Sequence, residues 1–151
     1  ALERAAKYDR DGAAIRKLAA MCSETIAELK YYCDCKYIVT VPAESGKVFH
    51  LPSSVVSIVA DQLHLNDLSR GFSNFSKPKL KDRRFEEKWD DWEATELAME
   101  TDLTGKDVVL IDDLYQSGTT LQFVAMKLQE AGARNVFGLC LVKSWRDTDN
   151  Q

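Results

Sequence analysis

Acidic and hydroxyl-bearing residues lie close together in the C-terminal third of the 151-residue chain. Asp112 and Asp113 directly follow the continuous apolar run 108–111, which is typical of a buried strand. A short polar stretch follows and leads into residues with helical apolar spacing; it contains Gln116, Ser117, Gly118, Thr119 and Thr120. Because the first turn of a helix has unpaired backbone N–H groups and partial positive charge, this stretch predicts a site for an anion such as phosphate.

The residue types in this segment match two parts of a phosphorylated sugar. Gly118 lets the backbone approach an anion, and the hydroxyls of Ser117, Thr119 and Thr120 can donate hydrogen bonds to its oxygens. The acidic pair follows a central strand, where doubly wound sheets bind ligands, and can accept hydrogen bonds from vicinal ribose hydroxyls. Either half alone has a structural explanation, since Ser and Thr often cap helices. Joined at this spacing, the two halves favour a ligand site.

Helix and strand patterns alternate along the chain and predict the frame that positions this segment. Apolar residues recur at helical spacing after Gly12 and predict a helix that ends near Tyr31. A β-branched strand at 37–41 follows, and Pro52 begins a second helix. The later elements are a strand at 108–111, a helix at 118–131 and a strand at 136–142. Continuous apolar strands joined by helices indicate an α/β, doubly wound fold with a mainly parallel sheet flanked by helices.

The length and composition are those of one globular domain. We interpret residues 1–151 as a single domain, with an N-terminal helical segment at 1–35 and a flexible hood or loop region at 66–100. Within that region, 66–88 lacks periodicity and predicts a long loop, and 89–99 predicts a short acidic helix. No stretch is long and apolar enough for a membrane span, so a soluble protein of the cytoplasm is expected. The net charge of −4 argues against nucleic-acid binding as the main role.

The segment 108–121 closely resembles the phosphoribosyl pyrophosphate (PRPP) binding signature of the type I phosphoribosyltransferases. That signature is an apolar strand, two acidic residues and a phosphate loop of the pattern Thr/Ser-Gly-x-Thr. The resemblance implies that Asp112 and Asp113 contact the ribose 2'- and 3'-hydroxyls and that residues 116–120 bind the 5'-phosphate. A looser similarity over residues 37–142 is nearest to the ComF-like branch, which is associated with bacterial competence.

Two positions depart from the purine-salvage members of that family. Those members carry an aspartate at the position matching Gln116 and a lysine at the position matching Thr119. In this chain, neither of these two positions carries the family's residue type. A hypoxanthine–guanine salvage role is therefore not expected.

The resemblance also implies a cradle for the pyrophosphate group in the loop after the first core strand. In this chain the loop would contain Ser45, Gly46 and Lys47, and an ordinary turn is the alternative interpretation. Mg²⁺ is the implied cofactor, carried by PRPP with few or no direct protein ligands, because it prefers oxygen donors and retains water. No dedicated cluster of metal-ligating residues is visible in the sequence.

A mobile basic loop that closes over the substrate is a further implication of the resemblance. Basic residues crowd the segment 77–88, and the candidates for contacting the pyrophosphate are Lys81, Arg83 and Arg84. Catalysis in the family rests on positioning and on stabilising the departing pyrophosphate, which makes a loop of this charge useful. The alternative is a solvated basic loop, or one that contacts nucleic acid or a partner protein.

Three functions are compatible with these features. The first is a phosphoribosyltransferase that transfers the phosphoribosyl group from PRPP to an unidentified nucleobase or amine and releases pyrophosphate. The second is a non-catalytic PRPP or nucleotide sensor, and the third is a ComF-like accessory domain that acts with a partner protein in DNA uptake, nucleic-acid processing or defence. A homodimer is the expected assembly. The acidic pair and the basic loop favour the enzyme, but fold resemblance alone does not choose among the three.

Overall fold

A parallel four-stranded sheet lies at the centre of the computed structural model, which describes residues 2–44, 46–73, 77–80 and 82–143. Its strands are β1 (Tyr37–Thr40), β2 (Asn66–Asp67), β3 (Asp107–Tyr115) and β4 (Asn135–Lys143). The order across the sheet is β2-β1-β3-β4. The helices of the described residues are α1 (Leu2–Tyr8), α2 (Gly12–Glu28), α3 (Leu51–Leu63), α4 (Phe85–Glu93) and α5 (Thr119–Glu130), with 3₁₀ turns at Tyr32–Asp34 and Ser69–Gly71.

Helices cover both faces of the sheet because its central strands are apolar on both sides. Ile38 and Val109 belong to a core shared with α1, α2 and α3. Their neighbours Val39 and Leu110 face the opposite way, into a second core shared with α4 and α5. Successive residues of a strand point to opposite faces, so a sheet covered on both sides reads as continuous apolar strands. The prediction of an α/β, doubly wound parallel sheet is confirmed.

The chain reverses its direction across the sheet between β1 and β3. From β1 it adds β2 on one side, then crosses over and adds β3 and β4 on the other side. In parallel sheets of this kind, a crevice forms beyond the carboxyl ends of the two strands at which the order reverses. The loops after β1 and β3 therefore meet at one place, and that place is where a ligand site is expected.

Local signals account for the helix boundaries next to this crevice. The side chain of Asp11 caps α2 by accepting hydrogen bonds from the backbone N–H groups of Ala13 (2.9 Å) and Ala14 (3.4 Å). Pro52 lies in the first turn of α3. Backbone N–H groups have no acceptor within the helix at that position, so the missing N–H group of proline costs no hydrogen bond. Gly118, in the left-handed conformation with φ of 77°, precedes α5. Within the described ranges, no helix has the combination of length and apolar character that crossing a membrane requires.

The region 66–100 contains more regular structure than its sequence pattern predicts. Strand β2 has only two residues, both paired with β1, and is too short to produce a recognisable alternation. Helix α4 begins at Phe85, four residues earlier than predicted, and the backbone N–H of Arg84 is held by the Glu87 carboxylate (2.9 Å). Among the described residues of this region, the second core buries Phe72, Trp92, Leu97 and Met99.

Trp92 provides a test of how this second core is stabilised. Its ring is fully buried and stacks on Phe123 with centroids 5.3 Å apart, but its Nε1–H has no hydrogen-bond partner among the described residues. We expect Trp92→Ala to lower the free energy of unfolding by about 3–5 kcal/mol. Trp92→Phe should lower it by only about 1 kcal/mol, because removing an unpaired buried donor offsets part of the lost packing.

Urea denaturation, monitored by circular dichroism, measures the free energy of unfolding of both variants. The same substitutions at Trp89 are the matched control. The Trp89 Nε1–H donates to Glu93 (3.1 Å), and its ring contacts the same Phe123 edge-on. A Trp92→Phe variant as unstable as Trp92→Ala would contradict the assignment of an unpaired donor.

Candidate functional site

A cleft of about 200 Å³ lies beyond the carboxyl ends of β1 and β3, where the strand order reverses. The loop after β1 and the turn between β3 and α5 form two of its walls, and α1 and the start of the basic segment close it. The described residues that line it are Lys7, Glu44, Lys47, His50, Lys77, Leu80, Lys88 and the continuous run 112–121. The whole segment that the sequence indicated as a phosphosugar site therefore lies in one concave surface.

The acidic pair lies within β3 and not after its end. The sequence predicted a strand at 108–111, but β3 continues to Tyr115 because β4 pairs with it as far as Lys143. Strand β1 stops at Thr40, opposite Ile111, so β3 extends alone past it on that side. Asp112 and Asp113 are thus the first residues of β3 beyond the end of β1, at the floor of the cleft.

The two carboxyl groups have different environments and different proton affinities. Asp112 is 2% exposed, and this burial raises its pKa to about 6, against the opposing charge of Lys77. Burial would also raise the pKa of Asp113, but the hydrogen bond and charge of Lys7 outweigh it and hold that pKa below its usual value. Asp112 accepts a hydrogen bond from the Asp113 backbone N–H (2.8 Å). At neutral pH the pair is therefore mainly ionised and able to accept hydrogen bonds.

The turn between β3 and α5 combines a left-handed glycine with side-chain hydroxyls at the start of a helix. Gly118 has a φ of 77°, a conformation that favours glycine, and a Cβ atom there would lie 2.9 Å from the Oη atom of the exposed Tyr115 side chain. The hydroxyls of Ser117 and Thr119 lie 2.9 Å apart, and Thr119 is buried. The first-turn N–H groups of α5 have no acceptor within the helix. All five residues of the sequence-predicted phosphate loop, 116–120, line the cleft.

The sequence-predicted pyrophosphate loop reaches the cleft only in part. Gly46, with a φ of 81°, forms a tight turn in which the Lys47 backbone N–H donates to the Glu44 carbonyl (3.3 Å). Lys47 and Glu44 line the cleft and form an ion pair of 3.3 Å, whereas Gly46 does not line it. Ser45 lies outside the described residues.

The basic segment contributes to the cleft through other residues than those the sequence suggested. Arg83 is exposed and forms a two-pronged pair with Asp91 (2.9 and 3.1 Å). Arg84 is exposed at the start of α4, and neither arginine lines the cleft. Lys81 lies outside the described residues. Lys77 and Lys88 line the cleft instead.

Lys77 is positioned by its backbone. Its N–H donates to the carbonyl of Ala43 (2.6 Å), and it forms an isolated parallel bridge with Glu44. This bridge joins the basic segment to the loop after β1 and places the Lys77 charge close enough to act on both Asp112 and Asp113. The sequence showed the cluster of basic residues but contained no signal for which of them would face the acids.

Two other residues of the cleft had no sequence signal. Lys7, on the short helix α1, donates a hydrogen bond to Asp113 across 106 positions of sequence. His50 precedes α3, where its Nδ1 atom lies 2.7 Å from the Ser53 hydroxyl. Burial lowers the pKa of His50 to about 4, and Lys77 and other nearby lysines contribute, so the ring is neutral near pH 7. Both positions depend on contacts between distant parts of the chain.

The fold is shared with solved phosphoribosyltransferases. Adenine phosphoribosyltransferase from Leishmania donovani superposes with a TM-score of 0.60 at 12% identity, over 97% of this chain and 59% of that one. A hypoxanthine phosphoribosyltransferase from Staphylococcus aureus has a TM-score of 0.52 at 19% identity, over 89% of this chain and 68% of that one. Phosphoribosylpyrophosphate synthetase from Mycobacterium smegmatis has a TM-score of 0.50 at 20% identity, over 83% of this chain and 34% of that one.

These similarities concern the fold. In the match to the orthorhombic crystal form of the Staphylococcus aureus enzyme, this chain covers 65% of that enzyme's length, slightly less than two thirds. No protein-family model matches the chain, and no curated protein matches it. The protein therefore has the α/β architecture of the type I phosphoribosyltransferases, with a cleft at its topological switch point.

The buried carboxyl of Asp112 predicts a pH-dependent cost to the free energy of unfolding. Its pKa of about 6 in the folded protein exceeds its ordinary value of 3.8, so the charged form opposes folding. We expect Asp112→Asn to raise the free energy of unfolding by roughly 2–3 kcal/mol near pH 8, since one pKa unit corresponds to about 1.4 kcal/mol. The gain should shrink as the pH falls through about 6, be small near pH 4 and vanish only well below 3.8, where Asp112 is protonated in both states.

Urea denaturation of the native protein and the variant, near pH 8 and near pH 4, checks this expectation. Asp61, exposed on α3 and away from the cleft, supplies the matched control Asp61→Asn. A gain in stability of the same size at both pH values would contradict burial of a charged carboxylate as its cause.

Proposed function

We propose that this protein binds PRPP and transfers its phosphoribosyl group to an acceptor, a nucleobase or a small amine, with release of pyrophosphate. The observation that carries the proposal is the arrangement of the anion turn 116–120 next to the acidic pair in one cleft at the switch point. A phosphate and the two neighbouring hydroxyls of a ribose require such a combination. An N-cap alone would not need a buried and a largely sheltered carboxylate beside it.

Each part of the cleft has a role in this proposal. Residues 116–120 bind the 5'-phosphate through backbone N–H groups and hydroxyls. Asp112 and Asp113 accept hydrogen bonds from the ribose hydroxyls. Lys47 and Lys77 offset the charge of the pyrophosphate. The remaining candidates for the pyrophosphate stay predictions: Ser45, Gly46, Lys81, Arg83 and Arg84.

The chemistry requires positioning and charge stabilisation more than covalent catalysis. The bond between C1' and the pyrophosphate oxygen breaks with its electron pair on the pyrophosphate, and the acceptor nitrogen forms the new bond to C1' and releases a proton to solvent. Lysine ammonium groups close to the leaving oxygens stabilise the charge that develops there. Closure of the basic segment over the cleft would exclude water, which would otherwise react at C1'.

Mg²⁺ fits the donors of this cleft as a partner of PRPP. The carboxylates of Asp112, Asp113 and Glu44 are the oxygen ligands that Mg²⁺ prefers. The described residues contain no group of three or more His, Cys, Asp or Glu side chains that could hold a metal alone. When bound, Mg²⁺ would neutralise charge on the pyrophosphate, and the ligand itself would supply most of its oxygen donors.

The finer assignments belong to the same proposal. The looser similarity over residues 37–142 favours the ComF-like branch. We also propose a single domain over residues 1–151, a homodimer as the assembly and the cytoplasm as the location. Gln116 and Thr119 stand where purine-salvage enzymes have other residue types, which favours an acceptor other than hypoxanthine or guanine.

Isothermal titration calorimetry with PRPP and Mg²⁺ tests the binding site. We expect Asp113→Asn combined with Thr119→Ala to weaken PRPP binding by about 100-fold or more, since hydrogen bonds to charged groups are each worth about 1.5–3 kcal/mol. The matched control is Asp61→Asn, which should bind PRPP with native affinity. Native affinity in the double variant would rule out this cleft as the PRPP site.

Release of pyrophosphate, measured with a panel of nucleobases and small amines, tests the reaction. We expect turnover with one class of acceptor and loss of turnover in Asp113→Asn. Tight PRPP binding without turnover on any acceptor would instead indicate a sensor of PRPP. Binding of single-stranded nucleic acid that weakens steeply with salt would indicate an accessory role in nucleic-acid processing.

A further inference from the structure

An ion pair occupies one of the two carboxylates to which the proposed ribose hydroxyls would bind. The Lys7 ammonium donates to Asp113 Oδ2, and it also lies 3.9 Å from Glu3 on its own helix. Both members of the main pair are largely sheltered, with side chains 25% and 14% exposed. A ribose hydroxyl that donates to Asp113 must share or displace this ammonium, because both groups compete for the same carboxylate oxygens.

A second cavity adjoins the cleft at this ion pair. It has a volume of about 320 Å³ and shares Lys7, Lys47, His50 and Asp113 with the cleft. Its other lining residues come from the end of α1, the turn after it, the loop before α3 and the first residue of α3: Tyr8, Arg10, Val48, Phe49 and Leu51. The Lys7 side chain therefore lies at the junction of the two spaces.

The charges that line the second cavity are mainly positive. Lys7, Arg10 and Lys47 carry positive charge, and Asp113 is the only acidic residue among the described residues that line it. The Arg10 guanidinium lies 5.5 Å above the Phe49 ring. Lys47 is already paired with Glu44 at 3.3 Å. Once a ribose hydroxyl satisfies Asp113, the lining of this space has three positive charges and no remaining acceptor carboxylate of its own, a distribution that attracts a multiply charged anion.

Building on the proposed function, we propose that Lys7 is a catalytic residue that moves from Asp113 to the pyrophosphate when PRPP binds. The ribose hydroxyls take over the carboxylate, and the released ammonium contacts the pyrophosphate oxygens in the adjoining cavity. A lysine is capable of this exchange because its charge is compact and its four-carbon stem is flexible. Helix α1, and not only the basic segment, then supplies positive charge to the leaving group.

The role of Lys7 is electrostatic and requires no proton transfer. The pyrophosphate leaves with the electron pair of the C1'–O bond, and the ammonium keeps its proton while it stabilises the new negative charge. Burial disfavours the charged form of Lys7, but the hydrogen bond to Asp113 and that acid's charge outweigh burial and raise the Lys7 pKa. Arg83, which the sequence suggested for this role, is paired with Asp91 away from the cleft.

The test compares two ligands that differ by the pyrophosphate group. Calorimetry with Mg²⁺ measures the affinities of ribose 5-phosphate and PRPP for the native protein and for Lys7→Gln, which keeps a hydrogen-bond donor for Asp113 but loses the charge. We expect the affinity for PRPP to fall about 10-fold or more, as for loss of a charge-assisted contact. The affinity for ribose 5-phosphate should stay unchanged or rise, because a competitor for Asp113 is weakened.

Two further variants separate charge from local structure. Lys7→Arg retains the positive charge and should retain most of the affinity for PRPP. Arg4→Met removes an exposed cation of the same helix that lines neither cavity, and it should leave both affinities at their native values. Thermal denaturation, monitored by circular dichroism, shows whether each variant is folded. If Lys7→Gln does not fold, Lys7→Arg still tests the proposal through its affinity for PRPP.

The possible results overturn different statements. Parallel losses for ribose 5-phosphate and PRPP in Lys7→Gln would mean that Lys7 only holds Asp113 in place, and the proposed exchange would be wrong while the PRPP site stands. A Lys7→Gln variant with native affinity for both ligands, or a Lys7→Arg variant that loses PRPP binding, would also overturn the exchange. Failure of the native protein to bind either ligand would overturn the proposed function itself, and the exchange with it.

Discussion

Two adjacent carboxylates on a sheltered strand are the constraint on which this site depends. Asp112 is buried, Asp113 is largely sheltered, and the two carboxylates repel each other. This arrangement opposes folding unless positive groups lie nearby. The structure supplies such groups from separate parts of the chain: Lys7 from the first helix and Lys77 from the basic segment. The start of α5 adds the partial charge of its backbone N–H groups. Packing that serves only stability does not require charged groups in a sheltered place.

A difference in strand length produces the cleft in which these groups meet. Strand β1 ends at Thr40, whereas β3 and β4 continue in register to Tyr115 and Lys143. The extended part of β3 therefore has a partner on one side only, and the loop that follows β1 folds over the open side. The bridge between Glu44 and Lys77 brings the basic segment to the same place. Anion turn, acidic pair and lysines consequently converge although their sequence separations are large.

The basic segment shows how residues of one charge acquire different roles. Arg83 is long enough to reach Asp91 and forms a two-pronged pair on the surface, a contact that matches the fork of a guanidinium. Lys77 is held by its backbone against the loop after β1, and its charge faces the acids. Composition alone indicates a positive segment. Backbone hydrogen bonds and competing carboxylates decide which members of the segment line the cleft.

The sequence by itself determined the architecture and the segment 112–120 that lines the cleft, because both depend on local patterns. Continuous apolar strands, helical spacing and the run 112–120 are readable within a few residues, and they led to the doubly wound sheet and the anion turn. Only the tertiary structure decided the length of β3, which depends on pairing with β4, and the approach of Lys7 and His50. These features arise between residues far apart in the chain, so no local spacing encodes them. The ion pair between α1 and Asp113 spans 106 positions and exists only because the sheet and its helices bring the two ends together.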